Sequence, residues 1–406
     1  MSGPPLAKTN LFKPIKVGPV TLKNRLAFAP TTRYRNTVDF VPTDSMRTYY
    51  EQRATDNGGL LITEATFAAP GFGLYSHAPG IDDDRKVEAW RKIVEAVHSK
   101  GTFISIQLWN LGRAADPKVL KEHGLPFVAP SPIYIDDKSK KAAEDAGNPL
   151  RALTLDEIHA EVKEYAAAAK RAINGAKFDI VEIHGAHGYL LDQFTSEAAN
   201  KRTDEYGGSI ENRARFLLEA VDAIIEAVGA EHTAIRLSPY AQFQGVVGIN
   251  AKTNPIVTYG YILSELERRA KEGKRLAYVS FAEPRVAGGT GGRVAPEGFK
   301  PPVVNTSWWN EIWKGVIIRS GNLLHDEGYT LLKEYVDADD RTLIGASRYY
   351  TSNPDLANRL KNGYPLTKYD RSTFYNVESN EGYVTWPKYG EKADEEIGKV
   401  KPKALA

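Results

Sequence analysis

The chain of 406 residues contains no cysteine. This absence excludes disulfide bonds, thiolate catalysis, cysteine-based zinc sites and cysteine-ligated iron–sulfur clusters. An excess of charge of one sign is also lacking, because 53 basic residues stand against 51 acidic residues and leave a net charge of +2. The balance gives no electrostatic reason to expect nucleic acid or an anionic membrane as a partner.

Long hydrophobic runs are missing as well. No apolar run approaches the roughly 18 residues that a membrane-spanning helix needs, and the first eight residues lack the apolar core of a signal peptide. The last four residues, KALA, are not a peroxisomal or endoplasmic-reticulum address. The default expectation is therefore a cytoplasmic protein without a membrane partner.

The sequence does contain a regular alternation of short apolar runs and longer amphipathic stretches. Several of the short runs are apolar throughout, which is typical of strands buried on both faces of a sheet. Strands are predicted at residues 25–29, 59–66, 102–108, 178–183, 233–237, 277–281, 316–319 and 342–344. Helices are predicted at residues 43–57, 83–99, 154–174, 209–228, 256–271, 326–335 and 354–361. Among their termini we expect Thr43 as an N-cap, a capping box from Thr154 to Glu157, and a stop at Gly175.

Eight strands with intervening helices predict an α/β fold, a (β/α)8 TIM barrel in one domain over residues 1–406. A doubly wound open sheet is the alternative, but residues 24–33 lack the Gly-rich turn that such a sheet uses for a dinucleotide. Three additions to the barrel are expected. They are a β-hairpin at 11–22 that plugs the bottom, a weakly periodic lid insertion at 109–153 after the third strand, and a C-terminal extension at 364–406.

Polar side chains or glycines follow nearly every predicted strand, where barrel enzymes carry their chemistry. Gln107 and Arg236, each taken alone, could equally be buried structural residues. Gly321 and Asn322 alone favour a simple turn. Together with Arg348 after the next strand, however, they favour a phosphate cradle, since barrels often bind phosphate after strands seven and eight.

His184 and His187 are two of only eight histidines, and Tyr189 follows them. A zinc site, a general acid–base pair, a clamp on a carbonyl oxygen and a merely structural turn are all open interpretations. The zinc site has only two nitrogen ligands and no cysteine to complete it. Tyr189 carries a proton at neutral pH, because the reference pKa of tyrosine is about 10, so it suits the protonation of a carbanion or enolate.

Residues 184–213 resemble the Old Yellow Enzyme family of flavoproteins, and its fungal branch most of all. The most specific motifs are GYLLDQF at 188–194 and RTDEYGGSIENR at 202–213, and the resemblance runs from residues 11–15 to 369–375. It implies one non-covalent FMN at the top of the barrel and NADPH as the reductant. One departure is that many fungal members have asparagine at the position of His187, which bears on substrate preference.

The resemblance also implies roles for individual residues. Gln107 would bind the pyrimidine edge of the flavin, and Arg236 would place positive charge near its N1–C2 carbonyl region. Residues implied to contact FMN are Pro30, Thr32, Ala65, Gln107, His184, Arg236, Gly321, Asn322, Ser347 and Arg348. Residues implied to contact the substrate are His184, His187, Tyr189, Trp109, Tyr75, Phe243 and Tyr375. The loops at 109–153 and 282–307 are expected to shape the pocket.

The implied reaction is a ping-pong reduction of activated C=C bonds in α,β-unsaturated aldehydes, ketones, imides and nitroalkenes. NADPH would reduce the flavin, and flavin N5 would pass hydride to the β carbon of a substrate whose activating oxygen is held by His184 and His187. Tyr189 would then protonate the α carbon. Phenolic ligands and a homodimer are further expectations.

Other classes of function stay open at this point. An iron–sulfur barrel reductase would need the cysteines that the chain lacks. A binding protein for phenols or steroids that does not turn them over, and a metal-dependent hydrolase built on His184 and His187, are the remaining alternatives.

Overall fold

A closed barrel of eight parallel strands forms the centre of the computed structural model, which describes residues 3–284 and 304–406. The strands are β1 Leu26–Phe28, β2 Leu60–Phe67, β3 Phe103–Trp109, β4 Ile180–Gly185, β5 Thr233–Leu237, β6 Tyr278–Ala282, β7 Ile317–Ser320 and β8 Thr342–Ala346. β8 pairs with β1 and closes the barrel. The predicted TIM barrel is confirmed, and each predicted strand overlaps an observed one.

Burial explains why the strands could be found from the sequence. Every residue of β2, β4, β6, β7 and β8 is buried. Helices cover the outer face of the barrel and side chains fill its inside, so neither face selects polar residues. The strands therefore read as continuous apolar runs rather than as alternating patterns.

Helices connect successive strands around the barrel. The longer ones are Asp44–Ala54, Asp84–His98, Asp137–Ala146, Leu155–Lys170, Ile210–Val228, Pro255–Lys271, Thr330–Asp337 and Leu356–Asn362. Shorter helices are Pro117–Glu122, Leu190–Thr195, Trp308–Ile312, Arg348–Ser352 and Glu395–Gly398. Among residues 3–284 and 304–406, no helix combines the length and apolarity that a membrane span requires.

The helix termini show one confirmed signal and three corrections. The capping box is present, because the Thr154 hydroxyl accepts the Glu157 N–H at 3.2 Å and the Glu157 carboxylate accepts the Thr154 N–H at 2.8 Å. Thr43 stands at an N-cap, but its hydroxyl donates to the Arg35 carbonyl at 2.7 Å instead of capping. The helix expected from Asp326 begins at Thr330, since the Asp326 side chain accepts the Thr330 N–H at 3.0 Å. Gly175 lies within a π-helical turn, Arg171–Ala176, that extends the preceding helix.

A short antiparallel pair precedes the barrel. Ile15–Val17 pairs with Val20–Leu22, and Val17, Val20 and Leu22 are buried in one apolar cluster with the first residues of several barrel strands. The pair therefore packs at the N-terminal end of the barrel, and the C-terminal strand ends lie at the opposite end.

The segment at 109–153 is more regular than its sequence indicated. It carries two helices, Pro117–Glu122 and Asp137–Ala146, and a parallel pair of short strands, Val128–Ala129 and Arg151–Ala152. Its apolar side chains join Trp109 and Tyr189 in one buried cluster. The sequence is weakly periodic there because Ala143 is the one buried residue of Asp137–Ala146 and Pro117–Glu122 is only six residues long, so neither helix shows an apolar period. Its action as a lid stays a prediction, and the 282–307 loop falls largely outside the described residues.

Two buried arginines attach the C-terminal extension to the top of the barrel. Arg33 Nε and Arg35 Nη1 donate to the Phe374 carbonyl at 3.0 and 2.8 Å. Arg33 Nη2 also donates to the Gly382 carbonyl at 2.8 Å. Because Arg33 follows β1, these bonds bring Phe374 and Tyr375 against the C-terminal strand ends.

Candidate active site

A cavity of about 420 Å³ opens at the C-terminal ends of the barrel strands. The ends of all eight strands contribute to its lining, and so does the C-terminal extension. A cavity of this volume has room for a ligand of cofactor or drug size. It lies where the chemistry of TIM-barrel enzymes is found.

All but one of the residues predicted for the site lie on this cavity. They are Pro30, Thr32, Ala65, Gln107, Trp109, His184, His187, Tyr189, Arg236, Phe243, Gly321, Asn322, Ser347, Arg348 and Tyr375. Tyr75 is not among the lining residues, and its contact with the substrate stays a prediction. Its ring packs edge-on behind Trp109 with centroids 5.5 Å apart, and its hydroxyl donates to the Ala114 carbonyl. This hydrogen bond holds Tyr75 in the cluster behind the wall.

The turn after β4 brings the two histidines and the tyrosine together. His184 belongs to β4, and His187 and Gly188 both adopt left-handed backbone conformations, with φ of 58° and 74°. The His184 ring lies 5.8 Å from the His187 ring and 4.8 Å from the Tyr189 ring, centroid to centroid. Two imidazoles and a phenol therefore share one side of the cavity.

Neighbouring elements fix this turn through its backbone. Ser238, after β5, accepts the His187 N–H at 2.8 Å, and buried Asp192 accepts the Gly188 N–H at 2.8 Å. Gln244 donates to the His187 carbonyl at 3.0 Å. A left-handed conformation at a histidine is uncommon and persists where such contacts hold it.

Burial sets the protonation of the two histidines. It lowers the pKa of His184 well below its ordinary value, and the nearby His187 and Arg236 lower it further. Burial lowers the pKa of His187 to about 3, again with Arg236 acting in the same direction. Both imidazoles are therefore neutral at pH 7, and each has one N–H donor. His184 Nδ1 is buried and has no partner among the described residues.

Tyr189 differs from the histidines because burial keeps its proton in place. Loss of hydration raises the pKa of Tyr189 above its ordinary value, although Gln244 and Arg236 oppose the shift. Its ring meets Trp109 edge-on with centroids 4.9 Å apart. A neutral phenol at this position can donate a proton but has little capacity to remove one.

Glu182 is a buried polar residue below the cavity that the sequence analysis did not predict. Glu182 and Gln107 are register partners on β4 and β3, and Gln107 Nε2 donates to Glu182 Oε1 at 2.6 Å. Burial raises the pKa of Glu182 to about 7, against the opposing effect of Arg236. Alternate residues of a strand point to the same face, so the place of Glu182 two residues before His184 was the signal that could have found it.

The loops after β7 and β8 form the end of the cavity expected to bind phosphate. Gly321 and Asn322 both have positive φ, 138° and 60°. The backbone N–H groups of Gly321, Asn322 and Ser347 donate to nothing in the part of the chain that the structure describes. With Arg348 on the same cavity, they offer the donors and the cation that an oxyanion needs.

The C-terminal extension adds lining residues that were not predicted, among them Arg371 and Phe374. Arg371 Nε and Nη2 are buried and lack a partner among the described residues. Arg371 lies in the 369–375 segment that carried the resemblance, but no pattern in the sequence shows that a segment beyond the last strand returns to the barrel mouth.

Comparison with known proteins decides the family. The sequence matches the family described as "NADH:flavin oxidoreductase / NADH oxidase family" over residues 10–367. The chain belongs to this family, and within it to the Old Yellow Enzymes. A crystal structure of Old Yellow Enzyme from a Pichia species is 63% identical, with a TM-score of 0.93 over 99% of this chain and 100% of that chain.

Curated relatives agree with this assignment. A probable NADPH dehydrogenase of Candida albicans is 49% identical over 97% of this chain and 94% of its own length. Enoate reductase 1 of Kluyveromyces lactis is 43% identical over 95% of this chain and 96% of its own length. The chain is accordingly an FMN-dependent NADPH dehydrogenase/enoate reductase, with FMN as cofactor and NADPH as reductant.

The cavity fits FMN on its own chemistry. His184 Nδ1 and Arg236 Nε are buried polar atoms on the barrel side without partners in the described chain, so a polar heterocycle would satisfy them. The free N–H groups after β7 and β8 suit its phosphate. No group of three or more metal-ligating side chains occurs among residues 3–284 and 304–406, so the metal-hydrolase alternative gains no support there.

Proposed function

We propose that this enzyme reduces the activated C=C bond of α,β-unsaturated aldehydes, ketones, imides and nitroalkenes. The observation that carries the proposal is the convergence of two neutral imidazoles and one protonated phenol on a flavin-type cavity. An activated alkene needs a donor for its oxygen and a proton for its α carbon, and these side chains can supply both. FMN, once reduced by NADPH, supplies the hydride for the β carbon when it is bound in this cavity.

His184 and His187 bind the activating oxygen of the substrate. Negative charge grows on that oxygen as the β carbon is reduced, so donors placed beside it stabilise the transition state more than the ground state. Because burial keeps both imidazoles neutral, they bind by donating hydrogen bonds and do not compete as acids for the proton transfer. A second imidazole instead of an amide at position 187 is the feature we expect to tune the choice of substrate.

Tyr189 holds the proton that completes the reaction. Its hydroxyl belongs to the same wall as His184, so a substrate bound through its oxygen has its α carbon near the phenol. The raised pKa of Tyr189 ensures that the proton is present at neutral pH. General acid catalysis of this kind contributes about 10²–10⁴-fold to rate.

Aromatic side chains exclude water from the reacting carbons. Trp109 stacks on Phe67 with centroids 5.2 Å apart and meets Tyr189 edge-on, so its ring is fixed from two sides. Phe243 and Tyr375 line the same cavity. We propose that they wall the substrate pocket and that the 109–153 insertion stabilises the wall from behind.

Product analysis tests the proposal. With NADPH and 2-cyclohexenone under anaerobic conditions, we expect cyclohexanone in a one-to-one ratio to the NADPH consumed. Cyclohexanone offered as substrate should consume no NADPH, because it lacks the alkene. Formation of 2-cyclohexenol, or NADPH oxidation without loss of the enone, would show that the C=C bond is not the site of reduction.

A further inference from the structure

Gln107 and Glu182 form a buried amide–carboxyl pair inside the barrel, below the cavity floor. Both side chains are about 99% buried or more, and the Gln107 Nε2 to Glu182 Oε1 distance is 2.6 Å. Gln107 also lines the cavity, whereas Glu182 does not. Glu182 can therefore act on a ligand only through its neighbours.

An ionised carboxylate fixes which end of an amide side chain faces it. It accepts hydrogen bonds and donates none, so the Gln107 amide must present an N–H to it. The Gln107 carbonyl oxygen and its second N–H then stay available to the cavity. The Gln107 amide thus presents a donor beside an acceptor. The pyrimidine ring of a flavin has the complementary edge, with a carbonyl next to a ring N–H.

Other groups around Glu182 favour the ionised form. Arg236 on β5 attracts the charge of Glu182 and opposes the rise in its pKa caused by burial. The hydrogen bond from Gln107 on β3 and the neighbouring Tyr278 on β6 act in the same direction. Since the pKa of Glu182 is raised only to about 7, the carboxylate predominates at pH 8.

We propose that Glu182 is a positioning residue that fixes the amide orientation of Gln107 toward the flavin pyrimidine and balances the charge of Arg236. The inference rests on the proposed placement of Gln107 against that edge. Without the carboxylate, an amide at position 182 would offer both a donor and an acceptor, so Gln107 could adopt either orientation. Arg236 would also act on the flavin without an opposing charge.

A matched control exists elsewhere in the chain. Asn110 Nδ2 donates to Glu161 Oε2 at 3.0 Å, and burial raises the pKa of Glu161 to about 8. This is also a buried amide–carboxyl pair, but neither residue lines the cavity. At pH 8 the Glu161 carboxyl is about half ionised, so Glu161→Gln reports what the loss of a buried, partly charged carboxyl does away from the cavity.

The test measures FMN binding to apoprotein at pH 8 and the midpoint potential of the bound flavin. We expect Glu182→Gln to raise the FMN dissociation constant about tenfold, the effect of one lost hydrogen bond between Gln107 and the flavin. We also expect a more positive midpoint potential, because a negative charge near Arg236 has been removed. Glu161→Gln should change neither quantity, and near-UV circular dichroism checks that each variant is folded.

A double-mutant cycle with Gln107→Ala separates positioning from a merely structural role. If Glu182 acts through Gln107, Glu182→Gln should weaken FMN binding little once Gln107 is alanine. An equal loss in both backgrounds, or no loss in either, would overturn the inference. Unchanged FMN binding in Gln107→Ala alone would instead refute the placement of Gln107 against the flavin. The experiment thus separates an error in the placement of Gln107 from an error in the role of Glu182.

Discussion

Among the single residues of the site, burial lowers the pKa of His184 and His187 but raises the pKa of Tyr189. Burial removes water from all three side chains and so favours their neutral forms. For histidine the neutral form has lost a proton, and for tyrosine it has kept one. One apolar environment therefore produces two neutral hydrogen-bond donors and one proton donor.

Tyr189→Phe tests the proton donor. The change removes the hydroxyl and leaves the ring, so we expect enone reduction to slow by about 10²–10⁴-fold. Flavin reduction by NADPH should change much less, because that step needs no proton on the α carbon. Stopped-flow measurement of the two half-reactions checks this, with Tyr165→Phe as the control because Tyr165 is buried and is not among the residues that line the cavity. An equal loss in both half-reactions would contradict the assigned role.

The lowered pKa of His187 has a consequence for stability. As pH falls, the unfolded chain protonates this histidine near its ordinary pKa of about 6.5, whereas the folded protein resists until about pH 3. The unfolded state thus binds more protons in this window, and stability falls with pH. Above about pH 6.5 the residue contributes no such dependence.

His187→Asn should remove this contribution. When the pH falls from 7 to 5, the free energy of unfolding should decrease in both proteins. We expect the decrease to be about 1–2 kcal/mol smaller in the variant than in the wild-type protein. Urea denaturation at the two pH values measures the difference, and other titrating groups cancel in the comparison. Identical losses in both proteins would mean that His187 is not held neutral by the fold.

At the scale of elements, the turn after β7 depends on the end of β6. Gly321 has φ of 138°, and a Cβ there would stand 2.7 Å from the Cβ of Glu283. Glu283 is held by Arg319, whose Nε donates to Glu283 Oε1 at 2.7 Å in a buried ion pair. Glu283 is therefore held in place against a side chain added at Gly321.

Gly321→Ala should therefore disturb the end of the cavity proposed for the FMN phosphate. We expect a loss of about 1–3 kcal/mol in unfolding free energy and a weaker FMN affinity. Gly124→Ala is the control, because Gly124 also has positive φ, 69°, but has nothing within 4 Å of an added Cβ. Equal effects of the two variants on FMN binding would show that close packing at Gly321 is unimportant.

The elements also show what the sequence could and could not predict. The barrel strands were predictable because burial on both faces makes them mainly apolar, and Gln107 and Arg236 because they interrupt apolar runs. The helix Asp137–Ala146 of the 109–153 insertion escaped because Ala143 is its one buried residue, so its sequence shows no apolar period.

At the scale of the whole molecule, closure of the barrel gathers side chains that are far apart in sequence. Residues after all eight strands meet on one cavity, from Ala29 to Tyr349. This is why reading the residues after each predicted strand found most of the site. In the C-terminal extension the family resemblance implied Tyr375 but not Arg371 and Phe374. The extension returns to the cavity through bonds from Arg33 and Arg35 to its backbone, which no pattern in the sequence encodes.

We propose that this cavity binds FMN and passes reducing equivalents from NADPH to an activated alkene. The visible spectrum of the purified protein tests it most directly, recorded anaerobically before NADPH, after NADPH, and after 2-cyclohexenone. We predict a yellow protein whose flavin absorbance is bleached by NADPH and restored by the enone. A folded protein that binds no FMN, or a bleached flavin that the enone fails to reoxidise, would show that the cavity does not carry out this reaction.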